Sequence, residues 1–137
     1  MARILIIEDE AVCRYNLRSI LEQAGHTVVE ASDGQEGLTR WRRAPTDVVV
    51  TDVYMPSQDG FEVLLALRKM SPKPKIICMS GGRGRDGLDW APIARSLGAD
   101  SLLHKPFDDE ALVVAVQTVL AGPTDPRHAP APSVSTS

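Results

Sequence analysis

Five side chains carry the chemistry this sequence can offer: Glu8, Asp9, Asp52, Ser80 and Lys105. Each falls where a short apolar run stops. Glu8 and Asp9 follow Ile4-Leu5-Ile6-Ile7, and Asp52 follows Val48-Val49-Val50-Thr51. Ser80 follows Ile76-Ile77-Cys78-Met79, and Lys105 follows Ser101 to His104. Clustered carboxylates repel one another and raise their pKa values unless a cation sits among them. Hard oxygen ligands with room for water suit Mg²⁺. A lysine meets an anionic oxygen and a serine adds one hydrogen bond, so the set describes a site for a phosphoryl group. Asp52 is then placed as the nucleophile, taking phosphate as an acyl phosphate. Taken singly, each residue has a plainer reading. Glu8 and Asp9 cap a helix, Asp52 is a loop acid or helix cap, Ser80 says nothing and Lys105 is solvated. Their joint position at strand ends argues against the plain reading.

That convergence requires a particular set of elements. Asp47 to Thr51 reads as a strand buried on both faces, the kind found inside a parallel sheet. Pro56 and the Asp59-Gly60 pair turn the chain after it. Ile4 to Ile7, Thr27 to Ala31, Ile76 to Met79 and Ser101 to His104 are the other strands. The first helix places Cys13, Leu17, Ile20, Leu21 and Ala24 on one face, and Gly25 stops it. Asp33 caps the second helix with Glu36 three residues on, and that helix runs to about Arg43 before Pro45. Phe61, Leu64, Leu65 and Leu67 mark the third, closed by Ser71-Pro72-Lys73-Pro74. The fourth spans roughly Trp90 to Leu97 with Gly98 as its stop. The fifth starts near Asp108 and carries Leu112, Val113, Val116 and Leu120. Five alternating strands and helices imply a parallel sheet covered on both faces, a three-layer (βα)5 sandwich. The flavodoxin-like strand order 2-1-3-4-5 is the usual one at this size, with the site at the switch point between strands 1 and 3.

Composition bounds the function. The 137 residues suffice for one domain and are too few for two. Apolar residues are 43% and charged residues 24%, an ordinary globular balance. Net charge is −3, and the lysines and arginines are dispersed apart from Arg40-Trp41-Arg42-Arg43, which suits a helix C-terminus. No nucleic-acid footprint and no membrane-spanning run is seen, so neither nucleic acid nor a membrane is expected as a partner. Cys13 and Cys78 lack metal or redox spacing and read as small reduced core residues. The expected location is the cytoplasm. Residues 1–121 read as the domain and 122–137, rich in Pro, Ser, Thr and Ala, as a disordered tail.

From Arg3 to Ala121 the chain resembles the receiver domains of two-component response regulators. The matching motifs are Glu8-Asp9, Asp52 with Met55-Pro56 and Asp59-Gly60, Ser80 with a small residue after it, and Lys105-Pro106-Phe107. The resemblance implies that Asp52 is the phosphoacceptor. Asp9, Asp52 and the backbone carbonyl of Tyr54 would bind Mg²⁺ directly, and Glu8 through a water. Ser80 would bond the phosphoryl group and Lys105 would pair with one of its oxygens, after a commonly cis Lys105-Pro106 bond. The implied donor is a sensor histidine kinase or a histidine phosphotransfer protein. The implied output is a switch in binding to a downstream protein, with a phosphorylation-dependent dimer left open. Beyond its own phosphorylation and dephosphorylation no enzyme activity is expected. No DNA-binding segment follows Ala121, so direct transcriptional control is not expected of this chain.

Two departures stand out. The first acid is Glu8 where Asp is commoner in the family. The switch position three residues before the lysine is Leu102, where the family usually has an aromatic. Coupling through the Gly81 to Gly87 loop is one substitute, because its four glycines allow mobility. Its Arg83 and Arg85 either meet the phosphoryl group or stay solvated. Two rival readings remain: a phosphorylation-independent interaction module on the same fold, and an aspartate-nucleophile phosphatase. The phosphatase needs Asp-x-Asp after the strand, and Tyr54 stands where its second acid would be. Tyr54 would sit at the rim of the site, where a ring slows entry of attacking water. Tyr54→Ala is therefore expected to change the lifetime of the phosphorylated state, read by mass spectrometry over time, and an unchanged lifetime would sink this reading.

Overall fold

A computed structural model describes residues 1–53, 60–80 and 91–121. The elements are β1 (Arg3–Ile7), α1 (Ala11–Gln23), β2 (Thr27–Ala31), α2 (Gly34–Arg43), β3 (Val48–Asp52), α3 (Gly60–Leu67), β4 (Lys75–Ser80), α4 (Ala91–Ser96), β5 (Ser101–His104) and α5 (Asp109–Ala121). All strand pairs are parallel and the order is β2-β1-β3-β4-β5. This is the flavodoxin-like arrangement expected from the sequence. Tyr54, the Met55 to Asp59 loop, the glycine loop with Arg83 and Arg85, Trp90 and the segment 122–137 lie outside the described residues.

Two apolar layers sandwich the sheet. Ile4, Ile6, Val48, Val50, Ile77 and Met79 face α1 and α5. Leu5, Ile7, Val49, Ile76 and Cys78 face α2, α3 and α4. Alternate residues of one strand thus enter opposite cores, which is why β1, β3 and β4 are apolar along almost their whole length. Before strands β1 and β4 the sheet is pinned by acids. Asp47 Oδ2 accepts from the Arg3 N–H at 2.9 Å and Asp100 Oδ2 from the Ile76 N–H at 2.8 Å.

The helix ends follow local chemistry. The Glu36 N–H donates to Asp33 Oδ1 at 2.8 Å, and Glu36 Oε1 returns to the Ser32 N–H at 2.7 Å. The reciprocal half of the cap thus reaches one residue further back than a capping box does. Gly25 and Gly98 have φ of 96° and 114°, where a side chain is strained. The N–H groups after them, on His26 and Ala99, donate back to Leu21 O and Ala94 O at 3.1 and 3.0 Å.

Several sequence expectations need correction. β3 runs Val48–Asp52 rather than 47–51, so Asp52 is the last residue of the strand. The described part of α4 begins at Ala91 and ends at Ser96, one residue before Leu97. Cys13 is only half-buried and Ala24 is exposed, since α1 turns Leu17 and Leu21 inward. In α3 the apolar run hides the helical phase. Val63, Leu64 and Leu67 are buried, whereas Leu65 is 40% exposed. In α5 the inner face is Leu112, Ala115, Val116 and Val119. Val113 is half-buried and Leu120 largely exposed, each one step around the helix.

One close approach fixes α2 on β1. A Cβ at Gly37 would lie 2.4 Å from Ile7 Cδ1 and 2.7 Å from Ile7 Cγ1. Ile7 is fully buried and cannot swing into solvent. Gly37→Ala is expected to lower stability by about 1–3 kcal/mol through overpacking, despite alanine's better helix propensity. Urea denaturation of the two proteins measures it, and equal midpoints would show that α2 moves aside freely.

Candidate functional site

The site is assembled by register. Ile7 lies opposite Thr51, so the next residues, Glu8 and Asp52, leave the sheet side by side. Asp52 lies opposite Met79, and Ser80 opposite His104. The residues that leave β1, β3, β4 and β5 therefore meet at one edge, the carboxyl edge where open α/β sheets hold ligands.

Backbone bonds hold these strand ends in place. The Glu8 N–H donates to Ala31 O at 3.1 Å and the Val53 N–H to Met79 O at 2.9 Å. The Lys105 N–H donates to Ser80 O at 2.6 Å, and the Lys105–Pro106 peptide is cis, as the resemblance implied. Arg14, which sequence reading passed over, holds the end of β1. Its Nη1 donates to the Glu8 carbonyl at 2.8 Å and its Nε to Glu30 at 3.1 Å. The cue was present: an arginine one turn into the helix after an acid pair.

Glu8, Asp9 and Asp52 each bring a carboxylate oxygen within 4.8 Å of the others. Glu8 is 2% exposed, Asp52 and Ser80 are buried, and Asp9 faces solvent. Lys105 Nζ donates to Asp52 Oδ2 at 2.7 Å and to Glu8 Oε1 at 3.1 Å. Burial alone would lower the Lys105 pKa, but bonding and attraction to Asp52 and then Glu8 outweigh it and hold the ammonium above its ordinary range. Glu8 goes the other way from a paired acid. Its burial raises its pKa, and the Glu10 N–H and Lys105 offset this only in part, with Asp52 adding repulsion. One lysine is shared by two buried acids. Hard oxygen donors, two of them buried, with unbalanced negative charge fit a small divalent cation such as Mg²⁺.

Sequence-picked Glu8, Asp9, Asp52, Ser80 and Lys105 therefore reach one edge, and the first three with Lys105 share one cluster. Tyr54, the fourth candidate ligand, lies outside the described residues. The two cysteines take no part as nucleophiles. Burial pushes the Cys78 thiol up to about 12, and burial also raises Cys13.

The family model of the response regulator receiver domain matches residues 4–117. The chain belongs to the response-regulator receiver domains of two-component signalling. Protein PilH of Pseudomonas aeruginosa is 37% identical over 125 residues, which cover 89% of this chain and 100% of PilH. The transcriptional regulatory protein CpxR of Escherichia coli K12 is 32% identical over 120 residues, 88% of this chain but 50% of CpxR. The chain spans all of PilH and about half the length of the curated transcriptional regulators it matches. Among solved structures, chemotaxis protein CheY4 of Vibrio cholerae is 31% identical with a TM-score of 0.78, covering 87% of this chain and 98% of CheY4. Response regulator TrrA of Thermotoga maritima, solved in complex with Mg(2+)-BeF, is 28% identical with a TM-score of 0.76 and covers 87% and 99%.

The raised Glu8 pKa has a consequence for stability. A carboxylate whose folded pKa exceeds its unfolded one contributes stability that is full below the unfolded value and is lost as pH rises through the folded value. In metal-free buffer Glu8→Gln is therefore expected to raise the urea midpoint near neutral pH, with the gain vanishing toward pH 4, roughly the ordinary carboxylate pKa. A gain that is the same at both pH values would show that the ionised Glu8 carries no burial penalty.

Proposed function

We propose that the chain is a phosphorylation-driven switch whose phosphoacceptor is Asp52. The observation that carries this reading is the cluster itself: three carboxylates within 4.8 Å of one another, with Lys105 bonded to Asp52 at the sheet's carboxyl edge. An Asp52 oxygen attacks the phosphorus of a phosphohistidine. A P–O bond forms, the P–N bond breaks, and the departing imidazole nitrogen takes up a proton. The Lys105 ammonium lies where it can turn from Asp52 toward a phosphoryl oxygen. Ser80, at the end of β4, offers its hydroxyl to another oxygen. Glu8 and Asp9, with Asp52 and the Tyr54 carbonyl, would hold Mg²⁺, which when bound neutralises charge on the transferring phosphoryl group. TrrA, a relative bound to Mg(2+)-BeF, supports that assignment.

The donor in this reading is a sensor histidine kinase or a phosphotransfer protein, and the output is altered binding to a downstream protein. The receiver unit is assigned to residues 1–121 and the segment 122–137 to a tail outside it. Among the described residues no helix is long and apolar enough to cross a membrane. A cytoplasmic setting fits that and the family's usual role.

Intact-mass spectrometry tests the chemistry. After incubation with acetyl phosphate and Mg²⁺ the chain is expected to gain one phosphoryl group. Asp52→Asn and a chelated control are expected to gain none. Lys105→Ala is expected to slow the transfer by about tenfold or more, as for the loss of a preorganised charge at a reacting group. Failure of the wild type to gain phosphate with several small donors would favour a phosphorylation-independent binding module.

A further inference from the structure

The parallel sheet sorts charge as well as catalytic groups. Every helix runs back against the strands, so helix C-termini and strand N-termini share one rim, opposite the acid cluster. Arg42 and Arg43 end α2, Arg68 and Lys69 follow α3, Lys73 lies in the link to β4, and Arg95 is in the last turn of α4. These cations are scattered along the sequence and brought to one rim by the fold. α2 packs on α3, and the Arg68 Cβ lies 3.5 Å from where a Cβ on Gly98 would stand, just beyond α4. All six are exposed. Among the described residues the ion pairs use Arg14, Arg18, Arg40 and Lys105 and none of these six.

A cation at a helix C-terminus ordinarily only answers the helix dipole, about half a negative charge per helix. The rim also holds Asp47 and Asp100, each with one oxygen committed to a strand N–H. On the side of the rim formed by α2, α3 and α4, three helix ends and these two acids leave the six cations with a surplus of roughly two to three positive charges. The described part of this rim offers nothing to a shaped ligand. It has no exposed aromatic ring to stack on a base, since Trp41 is buried. It has no helix N-terminus to hold a phosphate. On this side its exposed large apolar groups, Leu65 and Ile93, belong to helix sides, and Met1 and Leu120 lie apart at the start of β1 and the end of α5, so the cations surround no apolar core of a protein interface. What remains is a set of exposed point charges spread over three neighbouring helix ends, which suits an extended surface of negative charge.

We propose that this rim docks on an anionic phospholipid surface, with the acid cluster and Asp52 turned toward the aqueous side. The net charge of −3 does not prevent it. The acids lie about a helix length away, and α5 alone, with 13 residues, spans about 20 Å. That exceeds twice the screening length of about 8 Å at physiological salt. Docked this way, the domain keeps Asp52 open to a phosphodonor while bound.

Co-sedimentation of the full chain with vesicles tests the proposal. The chain is expected to pellet with phosphatidylcholine–phosphatidylglycerol vesicles at low ionic strength, to stay free with phosphatidylcholine alone, and to be released by salt. Arg68→Glu with Lys69→Glu is expected to weaken binding about tenfold or more, given about fivefold per cation near such a surface. Arg42→Glu with Arg43→Glu is a second, separately folded check, and thermal melting confirms that each variant is native. The proposal is overturned by no binding to anionic vesicles at low ionic strength, or by native charge-reversed variants that bind as the parent does. Tighter salt-sensitive binding to duplex DNA or polyglutamate than to the vesicles also overturns it.

Discussion

The Lys105 ammonium lies between two buried carboxylates and joins positions 8, 52 and 105 of the chain. No local element could make this contact, because it spans 97 and 53 residues of sequence. It exists because β1, β3 and β5 are parallel strands whose ends stop at one level. Remove the lysine and each of two buried acids loses a charged partner, a costly change in a low-dielectric site. Retain it and one positive charge still falls short of two negative ones, with exposed Asp9 beside them. The ammonium is bonded closely to Asp52, at 2.7 Å, and at 3.1 Å to Glu8.

Much of this arrangement was readable from residue types. Strands β2 and β5 match their sequence ranges, and the five site residues all emerge at strand ends, because a buried parallel strand is a continuous apolar run that must stop at its polar edge. Less legible were the faces of α3 and α5. In Val63-Leu64-Leu65-Ala66-Leu67 nearly every position is apolar, so composition alone does not say which side faces the sheet. The structure chooses Val63, Leu64 and Leu67. In α5 the small Ala115 and the branched Val119 sit inward while Leu120 looks out, since depth in the core there depends on neighbours from β3 and β4. For Arg14 the sequence offers its place one turn after the acid pair, but not its partners, a backbone carbonyl and a β2 acid.

The charge pattern is a different kind of illegibility. Along the chain the cations are spaced irregularly, and only Arg42 and Arg43 stand out. A single topological rule, strands up and helices down, brings Glu8, Asp9 and Asp52 to one rim and these six cations to the other. Helix dipoles reinforce the sorting, since acids favour helix N-termini and cations favour C-termini. A small net charge can thus coexist with two poles of opposite sign, one holding the acid cluster and the other free of it.

The contact between Gly37 and Ile7 reaches further than the packing it describes. Ile7 is the residue immediately before Glu8, so the α2 backbone resting on its side chain also sets how high the first carboxylate stands above the sheet. Positions 7 and 37 are therefore one mutational unit. A Cβ at 37 has room only once residue 7 loses both Cδ1 and Cγ1, as with Ile7→Ala beside Gly37→Ala, because a valine at 7 keeps a γ-carbon at the 2.7 Å contact. If the acid cluster takes a divalent cation as proposed, its affinity would depend in part on a pair of buried, uncharged positions outside the cluster.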